Sequence, residues 1–190
     1  MSETEIITKV RDILNEHGGD DAISIATDRV LLEDYIKSAI PDAVVMLAHK
    51  GYRVNVCAET PRINSANAII LPDDFISLLS VKLDNWKKII TKITEVGTPE
   101  YIMAMNKFTT PKINTPMCYK NGALLICLPD SDVCDLFEYN KNYDKEEEFL
   151  SADLKEATAV CYMTAALVMG MFGDDAGKQR LSDISMNMLQ

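Results

Sequence analysis

Residues 157–173 have the sequence ATAVCYMTAALVMGMFG, a run of 17 residues without a charged side chain. Apolar and small residues recur in it three to four positions apart, which predicts an α-helix buried on nearly all sides. Ser151 suits the N-cap of this helix, and Asp153 and Glu156 lie near its positive end. The run is rich in alanine and threonine, so we predict a central core helix and not a membrane span.

The chain before this core helix predicts three more helices. Apolar spacing indicates a first helix over 3–17. A second helix, capped by Thr27 or Asp28, should end before Pro41, because proline is tolerated only in the first turn of a helix. The third helix is therefore predicted over 41–49, with the proline at its start.

A last helix is predicted over 175–189, where apolar residues again recur at helical spacing. Helical sequence thus covers about 3–50 and 151–189, and a β-rich insertion covers about 52–140. The predicted fold class is α+β, a helical bundle from both chain ends with inserted, projecting β-hairpins. We predict a single domain over residues 1–190.

A first hairpin is predicted in the insertion. Alternating residues over 79–83 indicate a strand, a two-residue turn at 84–85 follows, and a second strand covers 86–93. This register places Lys82 opposite Lys87. Because like charges facing across a strand pair are unfavourable, that face should be solvated or should meet an acidic partner.

A second hairpin is predicted more strongly. Asn121-Gly122 is the preferred dipeptide for a type I′ turn, and it separates strand-like residues 117–120 and 123–128. A further strand over 133–139 is expected to join the same sheet. Upstream, Thr98 followed by a proline is typical of a helix start, which predicts a short helix ending at about residue 106.

The distribution of charge excludes one class of function. With 29 acidic and 19 basic residues the formal charge is −10, so general electrostatic binding to the nucleic-acid backbone is not expected. Residues 130–156 carry ten acids and three lysines, whereas 81–120 carry seven lysines and three acids. Two interpretations stay open: each run is a solvated face, or the basic middle of one subunit meets the acidic stretch of the next.

The residues typical of catalytic or cofactor sites are sparse. His17 and His49 both fall at predicted helix ends, where a cation is favoured. The sequence contains no nucleotide-binding or nucleophile-elbow motif, and we predict no cofactor and no metal. The cysteines are odd in number and have no C-x-x-C spacing, so we expect reduced, mostly buried thiols rather than disulfides. They are Cys57, Cys118, Cys127, Cys134 and Cys161.

Residues 71–88, LPDDFISLLSVKLDNWKK, carry a resemblance to a known family. In this segment a Leu-Pro-x-Asp-Phe turn leads into a lysine-bearing strand, a tight turn and a tryptophan. It resembles a sequence pattern common in bacteriophage head-to-tail connector proteins, such as the ring or adaptor proteins of crAss-like and other short-tailed phages. The order downstream is also similar: a helix, a proline-containing loop, a hairpin, a strand and a long alanine-rich helix.

The resemblance implies a structural virion protein that is not an enzyme. Such a protein is made in the host cytoplasm and forms a ring, usually of twelve subunits, that joins the portal protein to the tail or to further ring proteins. DNA would pass through its lumen without specific binding, and no membrane is involved. The expected portal and subunit contacts are Lys82, Trp86, Lys87, Lys88, Leu181, Ile184, Met188 and Leu189.

Two other functions stay open from the sequence. One is a hydrolase or metal-dependent enzyme that uses the acidic residues around 130–148. The other is a small cytoplasmic protein-binding module that never enters a particle. The acidic amino terminus, which lacks the basic start and apolar run of a secretory signal, leads us to expect a cytoplasmic site of synthesis for each of the three.

Overall fold

The computed structural model describes residues 1–17, 29–143 and 154–190. Within them the chain forms five helices and two sheets, which confirms the predicted α+β class. The chain divides into two compact units. Unit 1 comprises Met1–Val56 with Asn142–Gln190, and unit 2 comprises Cys57–Lys141.

Unit 1 contains four of the helices, and all but α2 have bounds close to those predicted. They are α1 (Glu3–His17), α2 (Arg29–His49), α4 (Leu154–Met171) and α5 (Asp175–Leu189). The residues expected to cap α2 and α4, which are Thr27, Asp28 and Ser151, lie outside the described residues. Asp174 caps α5, since its carboxylate accepts a hydrogen bond from Gly177 N at 2.8 Å.

The prediction of separate second and third helices that meet at Pro41 is wrong, because the single helix α2 continues through Pro41. A proline inside a helix removes one hydrogen bond and crowds the preceding turn. Here the apolar face is unbroken on both sides of it: Ile36 and Ile40 precede the proline, Val44 and Leu47 follow it, and all four are fully buried. Packing of this stripe outweighs the local cost of the proline.

The core of unit 1 lies around α4, which contacts α1, α2 and α5. Ten residues of α4 are buried, as the uncharged run predicted. Polar contacts fix the neighbouring helices on it: Ser185 Oγ donates to the Ala159 carbonyl at 2.7 Å, and Lys9 Nζ donates to Thr158 Oγ1 at 2.6 Å. None of the helices in the described ranges is long and apolar enough to cross a bilayer.

Unit 2 contains the sheets and one short helix. A three-stranded sheet has the order β1-β7-β4, and a four-stranded sheet has the order β2-β3-β6-β5. The strands are β1 (Val56–Ala58), β2 (Arg62–Ile63), β3 (Ile69–Ile70), β4 (Phe75–Leu83), β5 (Met117–Asn121), β6 (Leu124–Leu128) and β7 (Cys134–Lys141). The helix α3 (Pro99–Met105) begins where predicted, with Thr98 as its N-cap.

The predicted hairpin over 79–93 does not form. Strand β4 pairs antiparallel with β7 instead, so Lys82 lies opposite Leu136 and not opposite Lys87. The segment after β4 forms a turn against Leu83 and one bridge, between Val81 and Ile90, but no strand ladder with β4. The distant strand β7 offers aromatic core side chains and an ion pair for Lys82, which the local hairpin would not provide.

Two details of the second hairpin also differ from prediction. The hairpin β5–β6 forms, but Asn121 pairs with Leu124, so the two loop residues are Gly122 and Ala123. Gly122 has a positive φ of 59° and Ala123 does not, which excludes the predicted type I′ turn and matches type II′. The strand predicted over 133–139 is β7, and it joins the other sheet.

Candidate interaction surface

The expected contact residues near β4 have different environments. Trp86 is 3% exposed and belongs to the core of unit 2, where its indole nitrogen donates to the Pro129 carbonyl at 2.8 Å. Lys82 is half-buried and forms an ion pair with Asp135 at 2.8 Å. Lys87 and Lys88 are exposed. Lys82 thus already has an ionic partner, whereas the structure as described pairs neither Lys87 nor Lys88 with an acid.

The expected contact residues of the last helix lie in unit 1. Leu181 is fully buried on α5 and contributes to the core. Ile184, Met188 and Leu189 are half-buried and therefore still present apolar surface. Burial of Trp86 and Leu181 has a common physical cause, since each is a large side chain beside its unit's apolar core. These two residues are corrected from contact residues to core residues.

Residues 87–113 form the most apolar exposed segment of the described chain, and we call it the 87–113 surface. It holds seven of the 14 large hydrophobic residues that are exposed within the described residues. Such a concentration is not the scattered exposure that ordinary surfaces show. The seven are Ile89, Val96, Ile102, Met103, Met105, Phe108 and Ile113.

The backbone of this segment is anchored, so its exposed side chains do not belong to a frayed loop. Lys87 N donates to the Ile113 carbonyl at 2.9 Å, which joins the two ends of the segment. Thr94 N donates to the Cys118 carbonyl at 2.8 Å, which ties its middle to β5. The rings of Tyr101 and Tyr119 meet edge to face at 5.1 Å and hold α3 against the same strand.

Five exposed lysines are interspersed with these apolar residues along the segment. With only Glu95 and Glu100 as acids, the segment has a net formal charge of +3 in a chain of −10. Phe108 is 81% exposed, and Lys107 Nζ lies 4.9 Å from the centre of its ring. A segment that exposes both apolar and cationic side chains is suited to a partner whose contact face is apolar and acidic. The lysines are Lys87, Lys88, Lys92, Lys107 and Lys112.

Sequence reasoning missed the apolar part of this surface. Helix α3 has only seven residues, and Tyr101 to Met105 are all apolar. A two-turn helix that packs on one side buries only the residues of that side. In α3 the only buried residue is Ala104. The excess of apolar residues over buried positions was the available signal that Ile102, Met103 and Met105 would be exposed.

The polar cluster around Tyr139 is the strongest candidate for chemistry in the described residues. The Tyr139 hydroxyl lies 3.1 Å from Asp74 Oδ1 and 3.4 Å from Glu59 Oε1, beside a cleft of about 340 Å³. Burial, followed by a hydrogen bond with Cys57 and the charge of Asp74, raises the pKa of Tyr139. The phenol therefore stays protonated, and its single O–H donates to Asp74, the nearer of the two carboxylates.

The acids proposed for an enzyme do not gather in the part of the chain that is described. Asp130 accepts a hydrogen bond from Asn67 at 3.0 Å, and Asp135 pairs with Lys82. Residues 144–148 lie outside the described residues. No group of three or more histidine, cysteine, aspartate or glutamate side chains able to hold a metal occurs in the described ranges.

No model of a known protein family matches this chain, and no curated protein matches it at a significant level. Its function is therefore inferred from the residues themselves and from the geometry in which they lie.

Proposed function

We propose that this chain is a bacteriophage head-to-tail connector, a structural virion protein and not an enzyme. In this proposal helices from both chain ends form a bundle, and β-hairpins project from it. Copies assemble into a ring, usually of twelve, that joins the portal protein to the tail or to further ring proteins. The observation that carries the proposal is the 87–113 surface, an anchored segment that exposes seven large apolar residues together with five lysines.

The occupant we propose for the 87–113 surface is a second copy of the chain. The surface carries a net charge of +3, and residues 130–156 of the same chain carry ten acids against three lysines. Because these two runs are separate in the sequence and opposite in charge, we propose that the contact between copies is head to tail, and repeated head-to-tail contacts close into rings. A stable contact requires roughly 1,000 Å² or more of buried surface.

The second contact we propose is with the portal protein, through the outer side of α5. Ile184, Met188 and Leu189 are half-buried on this helix, while Leu181 and Ser185 anchor it on α4. Because α5 is already held on α4, its partly exposed apolar residues can bind a partner without the entropic cost of ordering a flexible segment.

The local structure of residues 71–88 supports the resemblance on which the family proposal rests. Phe75 N donates to the Pro72 carbonyl at 3.1 Å, which closes the expected turn before β4. Lys82 lies on β4, and Trp86 N donates to the Leu83 carbonyl at 3.0 Å in the second turn. The segment thus contains a turn, a lysine-bearing strand and a second turn with the tryptophan, in the order given by the resemblance.

The acidic charge of the chain suits a ring through which DNA must slide. A subunit of charge −10, repeated around an axis, repels phosphate and so prevents adhesion of the passing genome. A lumen lined with lysine and arginine would contradict this part of the proposal.

Mass spectrometry of purified virions tests the proposed function. We expect peptides of this chain in particles that have been freed of host protein, at a copy number comparable to that of the portal. Its absence from virions would contradict the connector proposal and would favour a cytoplasmic binding module. Loss of activity on a substrate panel after Asp130→Ala and Asp132→Ala, with the fold retained, would favour the enzyme.

A further inference from the structure

We propose that Cys118 and Cys127 form an oxidisable dithiol, which a low-molecular-weight disulfide such as oxidised glutathione converts to a cross-strand disulfide. The two residues are direct partners across β5 and β6, and their sulfur atoms lie 3.2 Å apart. Both are free cysteines. This inference does not rest on the proposed connector function, and it differs from the sequence-based expectation of thiols that simply stay reduced.

The backbone geometry suits a disulfide at this position. Residues opposite each other in an antiparallel pair alternate between hydrogen-bonded and non-hydrogen-bonded positions, and the latter bring Cα atoms to about 4.5 Å. The Cys118 carbonyl accepts from Thr94 N at 2.8 Å and so points away from β6. The Cys118–Cys127 pair is therefore non-hydrogen-bonded, and its spacing falls in the range of about 4.4 to 6.8 Å that disulfides span.

The reaction balances as two successive exchanges. The thiolate of one cysteine attacks a sulfur of oxidised glutathione, which forms a mixed disulfide and releases one glutathione thiolate. The second cysteine then attacks the protein sulfur of that mixed disulfide and displaces the second glutathione. One S–S bond forms between Cys118 and Cys127 and one breaks, two electrons pass to the oxidant, and its two thiols take up the two protons.

Access to the sulfurs requires a local opening of the hairpin. Cys118 and Cys127 are 0% and 1% exposed. Their mutual hydrogen bond, with burial, raises the pKa of Cys118, so the closed hairpin reacts slowly. Strand β5 lies at the end of its sheet, and its outer side is met by the single bridge from Thr94 to Tyr119. Opening of this edge exposes the dithiol without unfolding the unit.

A disulfide here would stiffen the strand that carries the 87–113 surface. Cys118 holds Thr94 through its carbonyl, and the neighbouring Tyr119 holds Tyr101 through its ring. Oxidation thus holds in place two contacts with β5: the hydrogen bond of Thr94, which lies just before α3, and the ring contact of Tyr101, which lies in α3. The dithiol links the redox state of the surroundings to the rigidity of the exposed apolar face.

The test is oxidation of the full chain with oxidised glutathione, followed by alkylation and non-reducing peptide mapping. We expect a linked peptide pair containing Cys118 and Cys127, with three of the five thiols still free. The oxidised protein should melt roughly 5 °C higher than the reduced protein, because the bridge restricts the unfolded chain. This comparison uses the natural sequence and needs no variant to fold.

Matched variants complete the test. Cys161→Ser, which removes a buried thiol from the other unit, should leave the linkage unchanged, and Cys118→Ser should abolish it. The inference is overturned if all five thiols stay free under oxidation. It is also overturned if the main linkage runs through Cys134, or if the linked form melts no higher than the reduced form.

Discussion

The indole nitrogen of Trp86 donates a hydrogen bond to the carbonyl oxygen of Pro129 at 2.8 Å. The two residues are far apart in sequence, so this bond joins the turn after β4 to the turn after β6. Trp86 is also buried in the core of unit 2. The tryptophan in the segment resembling connector proteins is thus a structural residue, which fastens the base of the 87–113 surface.

We predict that Trp86→Phe lowers the free energy of unfolding by about 2 kcal/mol. The change leaves the Pro129 carbonyl without its donor and opens a small cavity in the core. Urea denaturation followed by circular dichroism measures the effect. Ile89→Ala is the matched control, since Ile89 is 52% exposed and should cost less than about 0.5 kcal/mol. Equal effects of the two substitutions would contradict the assignment of Trp86 to the core.

The double variant Ile102→Ser with Phe108→Ser tests the apolar part of the 87–113 surface. Both side chains are exposed, so the melting temperature should stay nearly unchanged. Assembly on portal, measured by sedimentation, should fall at least tenfold if these side chains are buried between subunits.

Leu31→Ser with Met171→Ser is its control, because both are exposed apolar residues outside the 87–113 surface and outside the acidic stretch proposed to meet it. This pair should assemble like the natural chain. Loss of assembly in both double variants, or in neither, would remove the 87–113 surface from the proposed contact.

Reversal of charge at Lys87 and Lys88 tests the electrostatic part of the contact. Lys87→Glu with Lys88→Glu should slow ring assembly and flatten its dependence on salt concentration, because two attractive charges become repulsive. Light scattering over a series of salt concentrations measures both effects. Lys37→Glu with Lys178→Glu changes the net charge equally, on exposed positions of unit 1, and should leave the salt dependence as it was.

Cys161 gives the chain a pH dependence on the alkaline side. Burial raises the pKa of this thiol from 9.0 to about 11. As pH rises above 9.0 the unfolded chain releases this proton first, so the free energy of unfolding falls between the two values. The loss amounts to about 3 kcal/mol at most, and it vanishes well below pH 9.

Denaturant titrations of the natural chain and of Cys161→Ala across this range isolate the contribution. The alkaline loss of stability should be smaller in the variant, since other titrating groups are common to both proteins. Parallel curves for the two proteins would show that Cys161 ionises equally in the folded and unfolded chain.

The parts of the fold that depend on local chemistry could be predicted from the sequence. The cap at Thr98 and the apolar run of α4 need only near neighbours, and both were confirmed. The passage of α2 through Pro41 could not be predicted, because a tertiary stripe of buried residues outweighs a local rule. The partner of β4 was missed for the same reason, since β7 lies about 50 residues away along the chain.

The candidate surface was predicted only in its charge. Lysines at 87 and 88 were visible as a basic run, and the structure leaves both exposed. Exposure of Ile102 depends on which side of α3 meets β5, a tertiary contact that periodicity in a seven-residue helix does not determine. Burial of Trp86 likewise depends on the distant carbonyl of Pro129.

Electron microscopy of the full chain mixed with the portal protein encoded by the same genome tests the central claim most directly. We predict an added annular density on one end of the portal, with the rotational symmetry of a closed ring. The natural chain and the Leu31→Ser with Met171→Ser control should both form it, and the Ile102→Ser with Phe108→Ser variant should not. Portal particles that stay unchanged, with the chain remaining separate from them, would contradict the account.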